Sequence, residues 1–265
     1  MVKNIRKIAL SALGVLVLTT SFIACSSDNT SSSTEQVNQT EKSVKSSYVN
    51  PFEEYGVKHN EVLVNTECYK ESDIASIINS VNNYYGENVV SASDLENVGY
   101  NLQNNTVTID ENLFLSNGYT TNSAEYIFNF IEDIFSIQEE NITLVLSKTY
   151  DAESGIDSMN FSESEKKKLY VFFSIFRNSI QFWNYQGTEN QNNNYSYITT
   201  NYSQGPGPGW LRWIAVGIVD AAAGGVFAAT GIGIVGASII GAVASAAALT
   251  VDEIHITIGP FKITI

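Results

Sequence analysis

The sequence predicts a mainly α-helical protein with a small β-structured part. Three segments, around Ile77, Phe130 and Phe176, carry apolar residues at helical spacing. A fourth segment, residues 210–251, is rich in Gly and Ala and almost free of charge, which favours a further helical part. Residues 252–265 instead alternate apolar and polar side chains, as short strands do.

The start of the chain has the layout of an export signal. Basic residues precede an uncharged apolar stretch that is too short for an ordinary membrane-spanning helix. Ala24 and Cys25 follow, and a Ser-rich stretch begins directly after them. This arrangement resembles the lipobox of bacterial lipoproteins, with Phe22 where Leu is usual and Ile23 where a smaller residue is commoner.

The resemblance implies a signal peptide over residues 1–24, cleavage before Cys25 and a lipid on that cysteine. It also implies a protein anchored in the bacterial cell envelope, at the outer membrane. The alternative is an ordinary secretory signal with an incidental cysteine.

The predicted mature chain is strongly acidic. Removal of residues 1–24 takes away three basic and no acidic residues, which leaves 11 basic against 28 acidic residues and a net charge of −17. Such a charge argues against nucleic acid as a partner. Once Cys25 carries lipid, Cys68 is the one remaining thiol, so stability has to come from packing and not from an internal disulfide.

Composition divides the mature chain into five parts. Residues 25–47 are a polar tether with little to bury, and residues 48–185 have the composition of a small soluble domain. Residues 186–209 are rich in Asn, Gly and Pro and predict a linker. The apolar segment 210–251 and the tail 252–265 follow.

Local signals place elements inside the soluble domain. A helix around Ile77 ends near Gly86, and a small hairpin turns at Asn104-Asn105. A second helix starts near residues 122–125, which resemble a capping box. Residues 142–146 are apolar but do not distinguish a strand from a helix.

The third helix has the clearest start. Ser162 can cap it, and Glu165 can reach back to the backbone of Ser162. We interpret the aromatic stripe that follows, centred on Phe176, as core packing and not as a ligand groove. The basic run at residues 166–168 is interpreted as a solvated face.

The apolar segment carries a regular stripe of small residues. Between Arg212 and Asp252 its one charged residue is Asp220. Small residues at intervals of four predict a smooth helix face against which a second backbone packs closely. The stripe consists of Gly217, Ala221, Gly225, Ala229, Gly233, Ala237, Gly241 and Ser245.

The apolar segment is also long enough to cross a membrane. Its strongly apolar side chains are few, so insertion into lipid is predicted to be marginal. It forms either one long helix or, with a break at Thr230-Gly231, a tight hairpin. At its start Trp210, Arg212 and Trp213 resemble a membrane-interface anchor, and the alternative is that the tryptophans dock onto the soluble domain.

Together, the Trp-rich start and the Gly/Ala stripe resemble glycine-zipper envelope proteins and bacteriocin-like peptides. The resemblance implies that residues 210–251 associate with membrane lipid or with further copies of the chain, and a toxin-like action on membranes is one form of this hypothesis. The alternative is a non-catalytic surface binding module in which the stripe is buried in the protein's own fold. Its protein partner cannot be read from the sequence.

The remaining motifs predict no catalytic, metal or cofactor site. His59 and His255 stand apart from any metal-spaced cluster, and His255 is expected to be exposed or cross-strand in the tail, which turns at Gly259-Pro260. Residues 231–236 match a dinucleotide-binding fingerprint but lack the strand and the βαβ unit that this motif needs. We therefore expect a protein that is not an enzyme.

Overall fold

The computed structural model describes residues 48–192 and 209–265, except for the side chains of residues 185–192. These ranges contain nine α-helices and a four-stranded sheet, which confirms the predicted mainly α-helical class. The signal peptide, Cys25, the tether and most of the predicted linker lie outside the described residues.

The elements follow one another along the chain with short connections. The helices are α1 (Glu53–Thr66), α2 (Ile74–Tyr85), α3 (Ala92–Glu96), α4 (Glu111–Ser116), α5 (Thr121–Phe135), α6 (Ile142–Gly155), α7 (Glu163–Asn192), α8 (Gly209–Ala229) and α9 (Gly233–Thr250). The strands are β1 (Tyr100–Asn101), β2 (Thr106–Ile109), β3 (Glu253–Ile258) and β4 (Phe261–Thr264).

Two helix ends are set by the residues that the sequence singled out. Helix α2 ends at Gly86, whose left-handed backbone (φ 72°) closes the last turn. At the start of α7, the backbone nitrogen of Ser162 donates to the Glu165 carboxylate at 2.9 Å, and the nitrogen of Glu165 donates back to the Ser162 hydroxyl at 3.3 Å. The predicted capping box is confirmed.

Two local predictions are corrected. The predicted capping box at residues 122–125 is wrong: α5 starts earlier, because Thr120 is its N-cap and Ser123 is the residue that closes the box. The predicted linker also starts too early, since α7 continues to Asn192. The ambiguous residues 142–146 are helical and belong to α6.

The sheet joins distant parts of the chain. Strands β1 and β2 form the predicted antiparallel hairpin, and β3 and β4 form a second one. Strand β3 then pairs with β2 in parallel, with Thr106 opposite Glu253 and Ile109 opposite Ile256. The tail is therefore part of the sheet of the domain.

The apolar segment is not a separate body, because the described residues share one hydrophobic core and one compact unit. Its two helices, α8 and α9, pack against each other, with α8 on α7 and α9 on α1. Of the two predicted arrangements, the structure shows the hairpin, which turns at residues 230–232. The predicted division at residues 186–209 thus separates parts that fold together.

Candidate functional site

The α8–α9 hairpin has the dimensions of a membrane-crossing element. Its helices contain 21 and 18 residues, or about 32 and 27 Å at 1.5 Å per residue, against about 30 Å for the hydrocarbon core of a bilayer. Both are long and apolar enough to cross a membrane. In the fold, however, most of their residues are buried, and α1 and α7 cover them on two sides.

The tip of the hairpin is exposed although it is apolar. Ile232 and Val235 are 47% and 49% exposed, and Ile234 between them is half-buried. Residues 221–251 contain no charged side chain. The part of the hairpin that meets solvent is thus a short apolar turn without charge.

The small-residue stripe is divided between two helices and packs inside the fold. A Cβ atom on Gly217 would lie 2.8 Å from Cδ1 of Ile180 on α7, and one on Gly225 would lie 2.6 Å from the hydroxyl oxygen of Tyr119. On α9, a Cβ on Gly241 would lie 3.2 Å from the His59 ring and 3.3 Å from the backbone oxygen of Asp220. These glycines therefore permit close packing within the chain.

One member of the stripe does not take part in this packing. Gly233 begins α9 with a left-handed backbone (φ 84°), and a Cβ atom on it would meet nothing within 4 Å. The prediction of an unbroken stripe through Gly233 is wrong, because the turn at residues 230–232 separates Gly217–Ala229 from Gly233–Ser245. Ala221, Ala237 and Ser245 are fully buried, and Ala229 is half-buried.

The predicted interface anchors dock onto the domain. Trp210 and Arg212 are buried, and Trp213 stacks on Trp183 of α7 with 5.6 Å between the ring centroids. The Arg212 guanidinium donates to the backbone oxygen of Val251 at 2.8 Å. The geometry favours the docking alternative for the folded state.

Asp220, the single charge of the hairpin, lies at the centre of a buried polar cluster. Its Oδ2 accepts hydrogen bonds from the hydroxyls of Ser179 on α7 and Ser245 on α9, the latter at 2.7 Å. Nε2 of His59 on α1 lies 3.5 Å from the same oxygen, and Trp183 donates to Ser245 at 3.1 Å. The cluster thereby connects the hairpin to both helices that cover it.

The cluster combines Ser, His and Asp but not in the order of a hydrolytic triad. In such a triad the histidine accepts the proton of the serine, whereas here both serines donate to the carboxylate. The side chains of His59, Asp220, Ser179 and Ser245 are all fully buried. The arrangement is therefore suited to holding helices together and to storing charge in the core.

A second buried cluster joins α1, α6 and α7. Arg177 of α7 forms an ion pair with Glu53 and contacts the fully buried Glu153 at 3.3 Å. Asn50 donates to Glu153 at 2.9 Å. Burial raises the pKa of Glu153, and Arg177 and Asn50 oppose this effect. This cluster positions α1 beside α7, and with it the His59 ring.

A surface groove of about 550 Å³ lies along α2, beside Leu102 and Thr250. Ile74 and Ile78 supply most of its apolar surface, and Asp73 is its one charged lining residue. The Asp73 carboxylate already accepts from Ser76, so the groove offers no free charged group to a ligand.

Comparisons with protein-family models, curated protein sequences and solved structures find no match for this chain. Among the described residues, no group of three or more His, Cys, Asp or Glu side chains is arranged to hold a metal ion. The functional argument therefore depends on the geometry of the hairpin and of the cluster around Asp220.

The sequence did not reveal this cluster. Asp220 was recognised as the one charge in an apolar segment, and a buried charge needs partners. That rule indicates that partners exist, but their identity depends on how α1 and α7 pack. Ser245 was assigned to the small-residue stripe, whereas its hydroxyl is what contacts Asp220.

Proposed function

We propose that this chain is a lipid-anchored protein of the bacterial cell envelope and that its α8–α9 hairpin associates with membrane lipid. The lipobox resemblance at Cys25 supports the anchor. The length and composition of the two helices support membrane association.

The observation that carries the membrane proposal is the exposed, uncharged tip around Ile232 and Val235. Side chains of this kind contribute about −0.3 to −0.6 kcal/mol each at the membrane centre, so the tip alone binds weakly. A lipid on Cys25 would hold the domain beside the bilayer, where the effective concentration of lipid is high and a weak contact suffices.

The low hydrophobicity of the hairpin fits a segment with two environments. Its small residues allow α8 and α9 to pack closely against each other in water, and the same packing stabilises helix pairs in lipid. In the fold, Gly217 and Gly225 are covered by Ile180 and Tyr119. Self-association through these faces therefore requires that the hairpin first leave its place in the domain.

Vesicle binding of tip variants tests the proposal. The protein is residues 26–265 without lipid, which retain every contact described above, and the vesicles are phosphatidylcholine. Asp at the membrane centre costs about 2.5–3.5 kcal/mol, so Ile232→Asp with Val235→Asp is expected to weaken vesicle binding at least about tenfold even at shallow depth.

The matched control is Val57→Asp with Val64→Asp, which changes two similarly exposed valines on α1 (45% and 56%). The control is expected to bind like the unchanged protein. Equal weakening by both pairs, or no weakening by the tip pair, would overturn the proposal.

A second candidate function is a non-catalytic binding module in which the hairpin is a permanent part of the core. The close packing of Gly241 against His59 and Asp220 favours it. Amide hydrogen exchange with and without vesicles separates the two candidates. A hairpin that enters lipid changes the protection of α8 and α9 against α7, whereas a permanent core keeps the same protection in both samples.

A further inference from the structure

The hydrogen bonds around His59 determine which ring nitrogen carries a proton. The side-chain NH₂ of Asn60 donates to the backbone oxygen of Asn178 at 2.9 Å. The side-chain oxygen of Asn60 is therefore the atom that faces Nδ1 of His59, also at 2.9 Å. Because this oxygen can only accept, Nδ1 of His59 has to donate.

A neutral imidazole that is protonated at Nδ1 has a lone pair at Nε2. Nε2 of His59 lies 3.5 Å from Oδ2 of Asp220, the oxygen that accepts from Ser179 and Ser245. Without a further proton, two acceptors face each other in a site where both side chains are fully buried. One added proton, on Nε2 or on the carboxyl group, removes this repulsion and leaves the pair without net charge.

We propose that the His59–Asp220 pair holds one shared proton in the folded protein, so that closing the hairpin against α1 is linked to proton uptake. When the hairpin is released in water, both side chains become hydrated. A carboxyl group in water is ionised at neutral pH, and an imidazole is mostly neutral above its ordinary pKa of about 6.5. The closed fold then binds one proton more than the open chain.

The sign of the pH dependence follows from this proton count. Stability from the pair is fully present below about pH 6.5, where the released imidazole also binds a proton, and it is lost as the pH rises. Both placements of the proton give the same count, so the expectation applies to the pair as a unit. The linkage is a property of the fold in water and does not depend on whether the hairpin enters a membrane.

The groups that face the pair from the other elements do not titrate in this range. Helices α7 and α9 contribute the hydroxyls of Ser179 and Ser245, and α7 also contributes the Trp183 indole. From β1, the Tyr100 hydroxyl lies near Asp220, and its pKa is raised by burial and by the Asp220 charge. The proton is thus confined to His59 and Asp220.

Urea unfolding between pH 6.5 and 8 tests the linkage. All chains carry His255→Gln, which leaves His59 as the one histidine. For one linked proton, the unfolding constant is expected to rise by up to tenfold per pH unit. Asp220→Asn removes the carboxylate while keeping its shape, and it is expected to abolish this slope.

The matched control is Ser238→Ala, which removes a buried serine of α9 that donates to the backbone oxygen of Tyr55 at 3.0 Å. This control is expected to keep the full slope. A slope that is equal in the Asp220→Asn chain and its parent, or a parent without a slope, would overturn the inference.

Nitrogen NMR of the His59 ring gives a second readout that does not require a folded variant. An imidazolium ring, or a ring protonated at Nδ1 in a chain with the full slope, supports the shared proton. A neutral ring protonated at Nε2 alone would overturn it, since that ring donates to Asp220 without an added proton.

Discussion

Gly241 is expected to be the least replaceable glycine of the hairpin. A Cβ atom there would lie 3.2 Å from the His59 ring, 3.3 Å from the backbone oxygen of Asp220 and 3.7 Å from the Cα of Gly224. Ala is close to fitting, because a shift of a few tenths of an ångström accommodates one carbon and the helix gains up to about 1 kcal/mol in propensity. Leu adds three more carbons where buried backbone leaves no space.

For Gly241→Leu we therefore expect the upper end of the usual cost of overpacking, about 3 kcal/mol. For a domain of this size, 1 kcal/mol shifts Tm by about 2–4 °C, so Tm is expected to fall by about 6–12 °C. Thermal unfolding followed by circular dichroism measures the shift. Gly209→Leu, at an exposed glycine with nothing within 4 Å of its Cβ position, is the control and should stay within about 0.5 kcal/mol.

Gly233 gives the contrasting result. Its Cβ position is open but its backbone is left-handed, so Ala and Leu are expected to cost the same, about 1–2 kcal/mol. At Gly241, Leu should cost far more than Ala. If Gly241→Leu leaves Tm within 1 °C of the parent, or if the two positions respond alike, the close approach of α8 and α9 at Gly241 is refuted.

Three further predictions concern other parts of the chain. Arg177→Leu leaves the fully buried Glu153 without its cation, which is expected to cost about 3–5 kcal/mol at pH 7.5. Because the pKa of Glu153 is already raised by burial, its carboxyl group is more readily neutral at pH 5, so the cost in urea unfolding should be smaller there; equal costs at both pH values contradict the reasoning. Burial raises the pKa of the Cys68 thiol to about 11, so it should resist a thiol reagent at pH 8 until the chain unfolds, and fast labelling of the native protein would argue against its burial. Cys25→Ala should abolish labelling by a fatty-acid analogue in the cell, and undiminished labelling would rule out the lipid anchor.

Features of the fold that depend on neighbouring residues could be predicted from the sequence. The end of α2 at Gly86, the box of Ser162 with Glu165 and the strand pair around Gly259 follow from contacts a few residues apart, which a sequence displays directly. The shift at the start of α5 has the same scale: Thr120 and Asn122 are both good caps, and the packing of the helix selected Thr120.

Features that depend on distant residues could not be predicted. The period-four stripe was interpreted as one face, but its meaning changed when the turn at residues 230–232 placed its halves on two helices. His59 meets Asp220 only because Arg177 and its partners hold α1 against α7. An isolated charge in an apolar helix predicts that partners exist, while the positions of those partners belong to the tertiary structure.

The parallel pairing of β2 with β3 also affects when this protein can fold. Strand β2 waits for a partner that most of the chain separates from it, and the core waits for α8 and α9, which come equally late. An exported chain passes the translocon as an unfolded polymer, and a domain that is completed by its last segments cannot fold prematurely on the near side. In the exported protein proposed here, Asp220 would meet His59 only after translocation, in the compartment where the hairpin is to be used.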